Sequence, residues 1–213
     1  MPNFEMHVPW GDTLDGWEYE NCCVIVAHPD DETIWCGGLI LTHPESNWHV
    51  VCLCRRSDPD RAPKFRRVLD FYQASGVMGD LDDSPGLPPL SNEAVSKCVH
   101  QLLNDHSYDL IITHGPRGEY TRHIRHEEVS RAVTAMFCDH ELPTGDLWTF
   151  AYFDDGGTQS PHAQPNADII LHLDEATLQT KRRLVTEYYG FLPESFEAKA
   201  VTSPEAFCRI QQT

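Results

Sequence analysis

Basic residues are scarce in this chain of 213 residues, which carries 16 lysines and arginines against 33 aspartates and glutamates. The formal net charge of −17 speaks against a nucleic-acid-binding protein, because such proteins need a basic surface. The charge also gives no support for attachment to an anionic membrane. We therefore expect no nucleic-acid partner, while the charge says nothing about the fold.

Long apolar runs are also missing, and none approaches the roughly 18 residues that a membrane span requires. The N-terminal sequence has neither the basic start nor the apolar core of a signal peptide. The eight cysteines form no C-x-x-C pair, and there is no Asn-x-Ser/Thr acceptor site. Reduced, packed thiols fit this pattern better than disulfides, so we expect a cytoplasmic protein without a membrane span.

Three common enzyme motifs are absent as well. The sequence contains no G-x-G-x-x-G, no G-x-x-x-x-G-K-[ST] and no G-x-S-x-G. These absences disfavour a dinucleotide-binding protein, a P-loop nucleotide hydrolase and a serine hydrolase with a nucleophile elbow.

The length suits one domain, and short apolar runs predict strands that are buried on both faces of a parallel sheet. The predicted strands are 22–27, 49–54, 109–113, 147–153 and 168–173. The predicted helices are 33–42, 64–76, 92–105 with Asn92 as N-cap, 124–138, 175–190 and 203–212. Loop composition marks 77–91 and 154–167. Alternating strands and helices predict an open α/β sheet with right-handed crossovers.

The sequence AHPDDE at 27–32 follows the first apolar run directly and places His28, Asp30 and Asp31 within four positions. Neighbouring carboxylates repel each other and are costly to desolvate, and a divalent cation would offset that repulsion. Asp31 stands three positions after His28, which suits a shared ion, and Asp30 is then free to accept a proton from water. The alternative is that Asp30 or Asp31 simply caps the following helix.

A second polar cluster, THGPRGEYTRHIRH at 113–126, follows the third predicted strand. Because ligands bind beyond the carboxyl ends of parallel strands, we expect the two clusters to converge. His123 and His126 share one face of a helix start, where one would complete a metal site and the other would reach a substrate oxygen. Two nitrogens and one carboxylate with an open fourth position form a catalytic zinc arrangement. The alternative is a pair of surface histidines, since the chain has 12 histidines and chance pairs are easy.

The strand that runs into AHPDDE, together with GEYTRHIRHEEVSRAV at 118–133, resembles the LmbE-like, PIG-L-type family of N-acetylglucosamine deacetylases. The resemblance spans roughly residues 22–190, although only the two motifs are specific. It implies a single domain over 1–213 with a Rossmann-like, open, mostly parallel α/β sheet that has helices on both faces. It also implies a zinc-dependent hydrolase that removes an acetyl group from the nitrogen of an N-acetylglucosamine-type amino sugar or conjugate.

The resemblance further implies the residues of the site. At the reaction centre these are the metal ligands His28, Asp31 and His126, the general base Asp30 and the oxyanion donor His123. The implied substrate contacts are Arg67, Asp83 and Tyr120. The implied cofactor is Zn²⁺, with Fe²⁺ as the alternative because two histidines and one carboxylate serve both. The implied partner is a small amino-sugar substrate, and a homo-oligomer is left open.

The sequence departs from the family pattern at several positions. Arg125 stands where the family often has an acid that orients the oxyanion histidine. We expect Glu119 or Glu127 to replace that acid and to keep His123 protonated, with Arg125 turned into solvent. Asp70 replaces the glutamate of the family's R-x-x-E, and the sequence EYYGF near the C-terminus also differs.

Two other functions stay open at this point. One is a deacylase that acts on another N-acyl small molecule or on a glycosylated natural product. The other is a catalytically silent, metal-bearing sugar-binding protein, because a fold does not determine a function.

Overall fold

The computed structural model describes residues 16–84, 86, 88–103 and 106–212. The strands are β1 (Asn21–Val26), β2 (Asn47–Cys54), β3 (Ser75–Leu81), β4 (Tyr108–Thr113), β5 (Thr144–Phe150), β6 (Tyr152–Phe153), β7 (His162–Ala163), β8 (Ile169–Leu171) and β9 (Glu205–Ile210). The helices are α1 (Asp31–Thr42), α2 (Arg61–Tyr72), α3 (Asn92–Leu103), α4 (Ile124–Cys138), α5 (Glu175–Arg183) and α6 (Phe196–Ala200). A π-helical turn, Leu184–Tyr188, continues α5.

The central sheet has seven strands in the order β3-β2-β1-β4-β5-β9-β8. The five strands from β3 to β5 pair in parallel, whereas β9 pairs antiparallel with both β5 and β8. β6 and β7 form a separate two-stranded ribbon. The predicted open, mostly parallel α/β sheet is confirmed.

Alternate residues of β1 enter two separate cores, which shows that helices cover both faces of the sheet. Val24 packs with side chains of α1 and α2, whereas Ile25 packs with side chains of α3 and α4. A strand buried on both faces needs apolar residues at every position, and this explains the unbroken run CCVIV.

Two predictions for irregular or helical segments were wrong. Ser75–Leu81, expected as a helix end and a loop, is the edge strand β3, and Glu205–Ile210, expected as a helix, is β9. β9 is bonded on both sides, so its backbone groups are satisfied by partners distant in sequence. A prediction from local sequence patterns cannot detect strand partners that are distant in sequence. The short ribbon that contains His162–Ala163 and the helix Phe196–Ala200 were not predicted.

The other helices appear where they were predicted; 124–138 has the predicted bounds, and the rest have shifted ends. Ser91 Oγ, not Asn92, accepts the capping hydrogen bond, from Ala94 N at 3.2 Å. The last two positions of the predicted helix 92–105 lie outside the described residues. No helix in the described part of the chain is long and apolar enough to cross a membrane.

The chain moves outward from β1 in both directions, to β2 on one side and to β4 on the other. In open α/β sheets, ligands bind in the crevice at such a switch point, beyond the carboxyl ends of the strands. AHPDDE follows β1 and the cluster at 113–126 follows β4, so both predicted clusters lie at this crevice.

Candidate active site

The turn after β1 directs the Asp30 carboxylate into the crevice. Asp30 occupies the N-cap position of α1 with φ 122° and ψ −29°, and its carbonyl accepts N–H groups from Thr33 and Ile34 at 2.9 and 2.8 Å. Its side chain makes no capping hydrogen bond and lines a cleft of about 130 Å³. The alternative that the Asp30 side chain caps the helix is therefore wrong.

Two of the three predicted metal ligands, His28 and Asp31, line this cleft, and the third, His126, is buried against both of them. His28 Nδ1 lies 3.3 Å from Asp31 Oδ2 and 3.3 Å from His126 Nε2. His126 Nε2 in turn lies 3.3 Å from Asp31 Oδ1. All three side chains are buried, and they come from the turn after β1, from the start of α1 and from the first turn of α4.

Asp31 approaches His28 through Oδ2 and His126 through Oδ1, so two histidine nitrogens and one carboxylate lie close enough to share a metal ion. Ligand atoms bound at 2.0–2.1 Å to tetrahedral Zn²⁺ are separated from one another by about 3.3–3.4 Å. Two imidazole lone pairs that face each other at such a distance repel unless a proton or a cation lies between them. The residues therefore fit Zn²⁺ with an open coordination position, and the same donor types also suit Fe²⁺.

Glu119 supports this ligand set from behind. Its Oε2 accepts hydrogen bonds from Nδ1 of His126 and, at 2.9 Å, from Nδ1 of His114, while its Oε1 accepts from Gly115 N at 2.8 Å. A histidine ligand commonly donates its second ring nitrogen to a carboxylate, which sets the tautomer and orientation of the ring. Our sequence analysis missed His114 and offered Glu119, as one of two candidates, as a partner of His123 rather than of His126, although this general rule pointed to a carboxylate near the ligand.

His114 lies close to the ligands without being available as one. Its Nε2 is 3.5 Å from Asp31 Oδ2, and its ring stacks on His126 with centroids 3.9 Å apart. However, Nε2 accepts the Ala27 N–H at 3.0 Å, and a backbone amide can only donate. His114 therefore uses both ring nitrogens to hold the end of β1 against Glu119.

Asp30 and Asp31 experience opposite electrostatic environments. Burial and the neighbouring Asp31 carboxylate raise the pKa of Asp30 well above its usual range, despite Arg61 Nη2 at 3.3 Å from Oδ2. Burial opposes ionisation of Asp31 too, but His126, the largest opposing influence, holds the pKa of Asp31 well below its usual range. Adjacent groups with pKa values pushed apart are suited to different roles, here a proton acceptor and an anionic ligand.

His123 contacts the two predicted ligand histidines, and no hydrogen bond or ion pair joins it to an acid among the described residues. Its ring lies 4.3 Å from the His126 ring and 4.6 Å from the His28 ring, centroid to centroid. Nδ1 is buried and has no hydrogen-bond partner among the described residues. Burial, followed by His126 and His28, lowers the pKa of His123 to about 3. The expectation that His123 is protonated was wrong.

The charges expected to act on His123 have other partners. Glu119 faces His114 and His126, and Glu127 pairs with Arg122 at 3.2 Å. Arg125 was expected in solvent, and this too was wrong because its side chain is buried. It bonds to Glu128 and donates from Nε to the Asp82 carbonyl at 2.9 Å.

The predicted substrate contacts divide into two groups. Asp83 and Tyr120 line the cleft, with Asp83 Oδ1 3.1 Å from His28 Nε2 in a contact poorly aligned for a hydrogen bond. Arg67 is exposed on α2 and lies over the Tyr188 ring at 5.1 Å, so the structure does not bring it into the cleft. Two arginines that were not predicted as contacts, Arg55 and Arg61, line the cleft instead.

Comparisons with known proteins agree with this fold and crevice. The model of the PIG-L family, described as GlcNAc-PI de-N-acetylase, matches residues 23–63, which include AHPDDE. The structure resembles N,N′-diacetylchitobiose deacetylase from Pyrococcus horikoshii, with a TM-score of 0.68 and 15% identity over 99% of this chain and 94% of that one. The predicted resemblance to the LmbE-like, PIG-L-type family is therefore confirmed.

Other similar proteins include a second deacetylase, a hydratase and an uncharacterized viral protein. Teicoplanin deacetylase Orf2, solved in a zinc-inhibited form, matches with a TM-score of 0.59 and 13% identity, covering 79% of this chain and 84% of that one. GalB, a 4-carboxy-2-hydroxymuconate hydratase of Pseudomonas putida, matches with a TM-score of 0.55 and 15% identity, covering 91% and 97%. An uncharacterized protein of Acanthamoeba polyphaga mimivirus is 23% identical, covering 79% of this chain and 75% of that protein. Because this fold also carries a hydratase, the activity has to be argued from the site.

Proposed function

We propose that this protein is a metal-dependent N-deacetylase acting on an N-acetylglucosamine-type amino sugar or conjugate. The observation that carries the proposal is the convergence of His28, Asp31 and His126, where His28 and Asp31 line one cleft together with Asp30 and His123. The PIG-L match over AHPDDE and the deacetylases of similar fold support the same activity.

In this proposal His28 Nδ1, the Asp31 carboxylate and His126 Nε2 hold Zn²⁺, with Fe²⁺ as the alternative. When bound, the ion supplies Lewis acidity, which acidifies water and polarises an amide carbonyl. Glu119 keeps Nε2 of His126 unprotonated and directed at the ion by accepting the hydrogen of Nδ1.

Asp30 is the general base of the proposed reaction. Its carboxylate lines the cleft beside the ligand Asp31, so it can take a proton from the attacking water and later return it to the leaving amine. General acid–base catalysis of this kind typically contributes about 10²–10⁴ in rate.

His123 is the oxyanion donor, acting as a neutral imidazole. Its ring lies against both ligand histidines, so an N–H group of this ring can donate to the amide oxygen as negative charge develops there. A neutral imidazole is a weaker donor than an imidazolium, but it enters a site next to a cation without electrostatic cost.

The substrate's polar groups meet Asp83, Tyr120 and two arginines. Burial and the carboxylates of Asp31 and Asp30 raise the pKa of Tyr120, so its hydroxyl stays protonated and can donate. Arg61 takes the substrate-contacting role that the sequence suggested for Arg67, because Arg61 lines the cleft.

Further parts of the proposal concern the whole chain. We assign the activity to one domain over 1–213 and to the cytoplasm, which is consistent with eight free cysteines. A homo-oligomer remains compatible with this assignment.

An amine-release screen with zinc-loaded and iron-loaded enzyme tests the proposal. The substrates are N-acetylglucosamine, N,N′-diacetylchitobiose and, for the glycosylated natural products, teicoplanin. Release of amine that disappears in Asp30→Asn supports the deacetylase. Bound metal without turnover of any amide would contradict it and favour the silent sugar-binding protein.

A further inference from the structure

Asp30 reaches the cleft through a backbone conformation that is costly for any residue with a Cβ. A φ of 122° is rare for such residues, which persist there only where the surrounding structure holds them. At an N-cap with ordinary torsions, the carboxylate would instead accept N–H groups of the first helical turn. Contacts around Asp30 must therefore stabilise the unusual torsion.

The Glu32 carboxylate makes that contact. Its Oε2 accepts the Asp30 N–H at 3.1 Å, like the glutamate of a capping box but one residue nearer to the N-cap. Its Oε1 accepts the hydroxyls of Thr33 at 2.6 Å and of Tyr189 at 2.7 Å. Glu32 is fully buried, so burial raises its pKa, while the three donated hydrogen bonds oppose that rise. The two hydroxyls thus keep the acceptor of the Asp30 N–H in place.

Tyr189 reaches Glu32 from a distorted helix end. The π-helical turn Leu184–Tyr188 follows α5, and Tyr189 N–H donates to Leu184 O at 3.0 Å. A π-helical turn has a longer hydrogen-bonded repeat than an α-turn, so it changes the direction of the side chains after it, and such turns are frequent at functional sites. The Tyr189 side chain is fully buried in its contact with Glu32.

We propose that Tyr189 and Glu32 are positioning residues that hold the Asp30 carboxylate in the cleft. The proposal rests on the proposed function, in which Asp30 is the general base. Tyr189 orients Glu32, Glu32 binds the Asp30 N–H, and this bond selects the torsion that directs the Asp30 carboxylate. Neither Tyr189 nor Glu32 is among the described residues that line the cleft, so both act through Asp30.

The test compares Tyr189→Phe with Tyr152→Phe. Tyr152 is the matched control because its buried hydroxyl also donates to α1, to the Trp35 carbonyl at 3.0 Å, without contacting Glu32. Backbone amide exchange of the segment 27–35 is measured in metal-free protein. Then kcat and KM are measured in zinc-loaded protein with N,N′-diacetylchitobiose or the best amide of the screen.

Tyr189→Phe should speed amide exchange at 27–35 and lower kcat, each by about tenfold, the factor that corresponds to about 1.4 kcal/mol and to one hydrogen bond. KM and metal content should stay unchanged, because the substrate and the ion do not contact Tyr189. Tyr152→Phe removes a bond only at Trp35, the last residue of this segment, so it should leave the exchange of residues 28–33 and kcat as in the wild type. A general loss of packing would instead affect both variants alike.

Glu32→Gln is the second variant, chosen in case Tyr189→Phe does not fold. A glutamine keeps one acceptor oxygen and turns an NH₂ group towards a hydrogen-bond donor, so both effects should be larger than in Tyr189→Phe. Normal exchange and normal kcat in either folded variant would overturn the proposal. The wild type could hydrolyse no amide while the variants still show faster amide exchange than the wild type. That result would refute the proposed function and leave the positioning role of Glu32 standing.

Discussion

The Glu119 carboxylate accepts the Nδ1 hydrogen of His126, on the opposite side of the ring from Nε2, which faces His28 and Asp31. This contact determines which nitrogen of His126 is free to bind a metal ion. The same contact engages Glu119, which is one of the two acids that the sequence had suggested as partners of His123.

Glu119→Gln should weaken metal binding by about 10–100-fold, the usual cost of losing a carboxylate behind a histidine ligand. Glutamine offers one acceptor oxygen where Glu119 serves three donors, so the tautomer of His126 is no longer enforced. Competition with a chromophoric chelator measures the affinity. Glu127→Gln is the control because Glu127 pairs only with Arg122 in the described structure, and equal affinities of the two variants would contradict the role of Glu119.

The purified protein should contain about one divalent ion per chain, as expected for three protein ligands and an open position. His126→Ala should remove most of that ion, because it deletes the nitrogen shared by both close contacts to His28 and Asp31. Elemental analysis of protein prepared without chelator measures the content. His100→Ala, at an exposed position, should keep the ion, and an unchanged content in His126→Ala would exclude His126 as a ligand.

Asp30→Asn should retain the metal and lose at least about 10² in turnover, because asparagine has nearly the same shape but cannot accept a proton. Metal content and kcat are measured on the same preparation. Asp60→Asn, which removes an exposed partner of Lys64, is the control. Near-normal turnover of metal-loaded Asp30→Asn would mean that another group is the base.

His123→Ala should lower kcat/KM by about 10²–10³, the cost of one lost oxyanion donor. A pKa of about 3 leaves His123 neutral at ordinary pH, and a nearby cation lowers that pKa further. The loss should therefore be the same from about pH 5 to pH 9, where an unperturbed histidine would change its charge. The measurement is the pH profile of kcat/KM for both proteins. If the wild type loses activity with rising pH and His123→Ala does not, the protonated form of His123 acts in the reaction.

Lys181→Met should destabilise the fold by about 3–5 kcal/mol, the usual cost of leaving one charge of a buried pair alone. Lys181 Nζ lies 2.6 Å from Glu205 Oε1, both side chains are fully buried, and the contact is an ion pair without good hydrogen-bond alignment. Glu205 also accepts the N–H groups of Gly38 and Leu39. Urea unfolding gives the free energy, and Lys199→Met, at an exposed position, should change it little.

Much of the fold was readable from local patterns. The run CCVIV predicted a strand buried on both faces, and β1 is an interior strand of the sheet with a core on each side of it. The edge strand β3 and the antiparallel strand β9 were missed because their ladders join residues distant in sequence. A pattern rule reads only near neighbours, so it assigns such segments by local propensity.

The placement of the site residues was also predictable in part. AHPDDE and H-x-x-H follow strands whose carboxyl ends meet, and this predicted that the two clusters converge. The choice of His126 rather than His123 as the third metal ligand came from the family resemblance. The sequence did not reveal that Arg67 points away from the cleft while Arg61 lines it, because both lie on α2 and its rotation depends on packing.

The sequence by itself determined the α/β class, the crevice at the end of β1 and the residue types available for chemistry, since these follow from periodicity and from the order of short motifs. Only the tertiary structure decided which acid serves which histidine. Glu119 and Glu127 are nearly equivalent along the chain, yet one is buried against His126 and the other pairs with Arg122. Protonation of His123 depends on these long-range placements, because burial and the charges within a few ångströms determine a pKa.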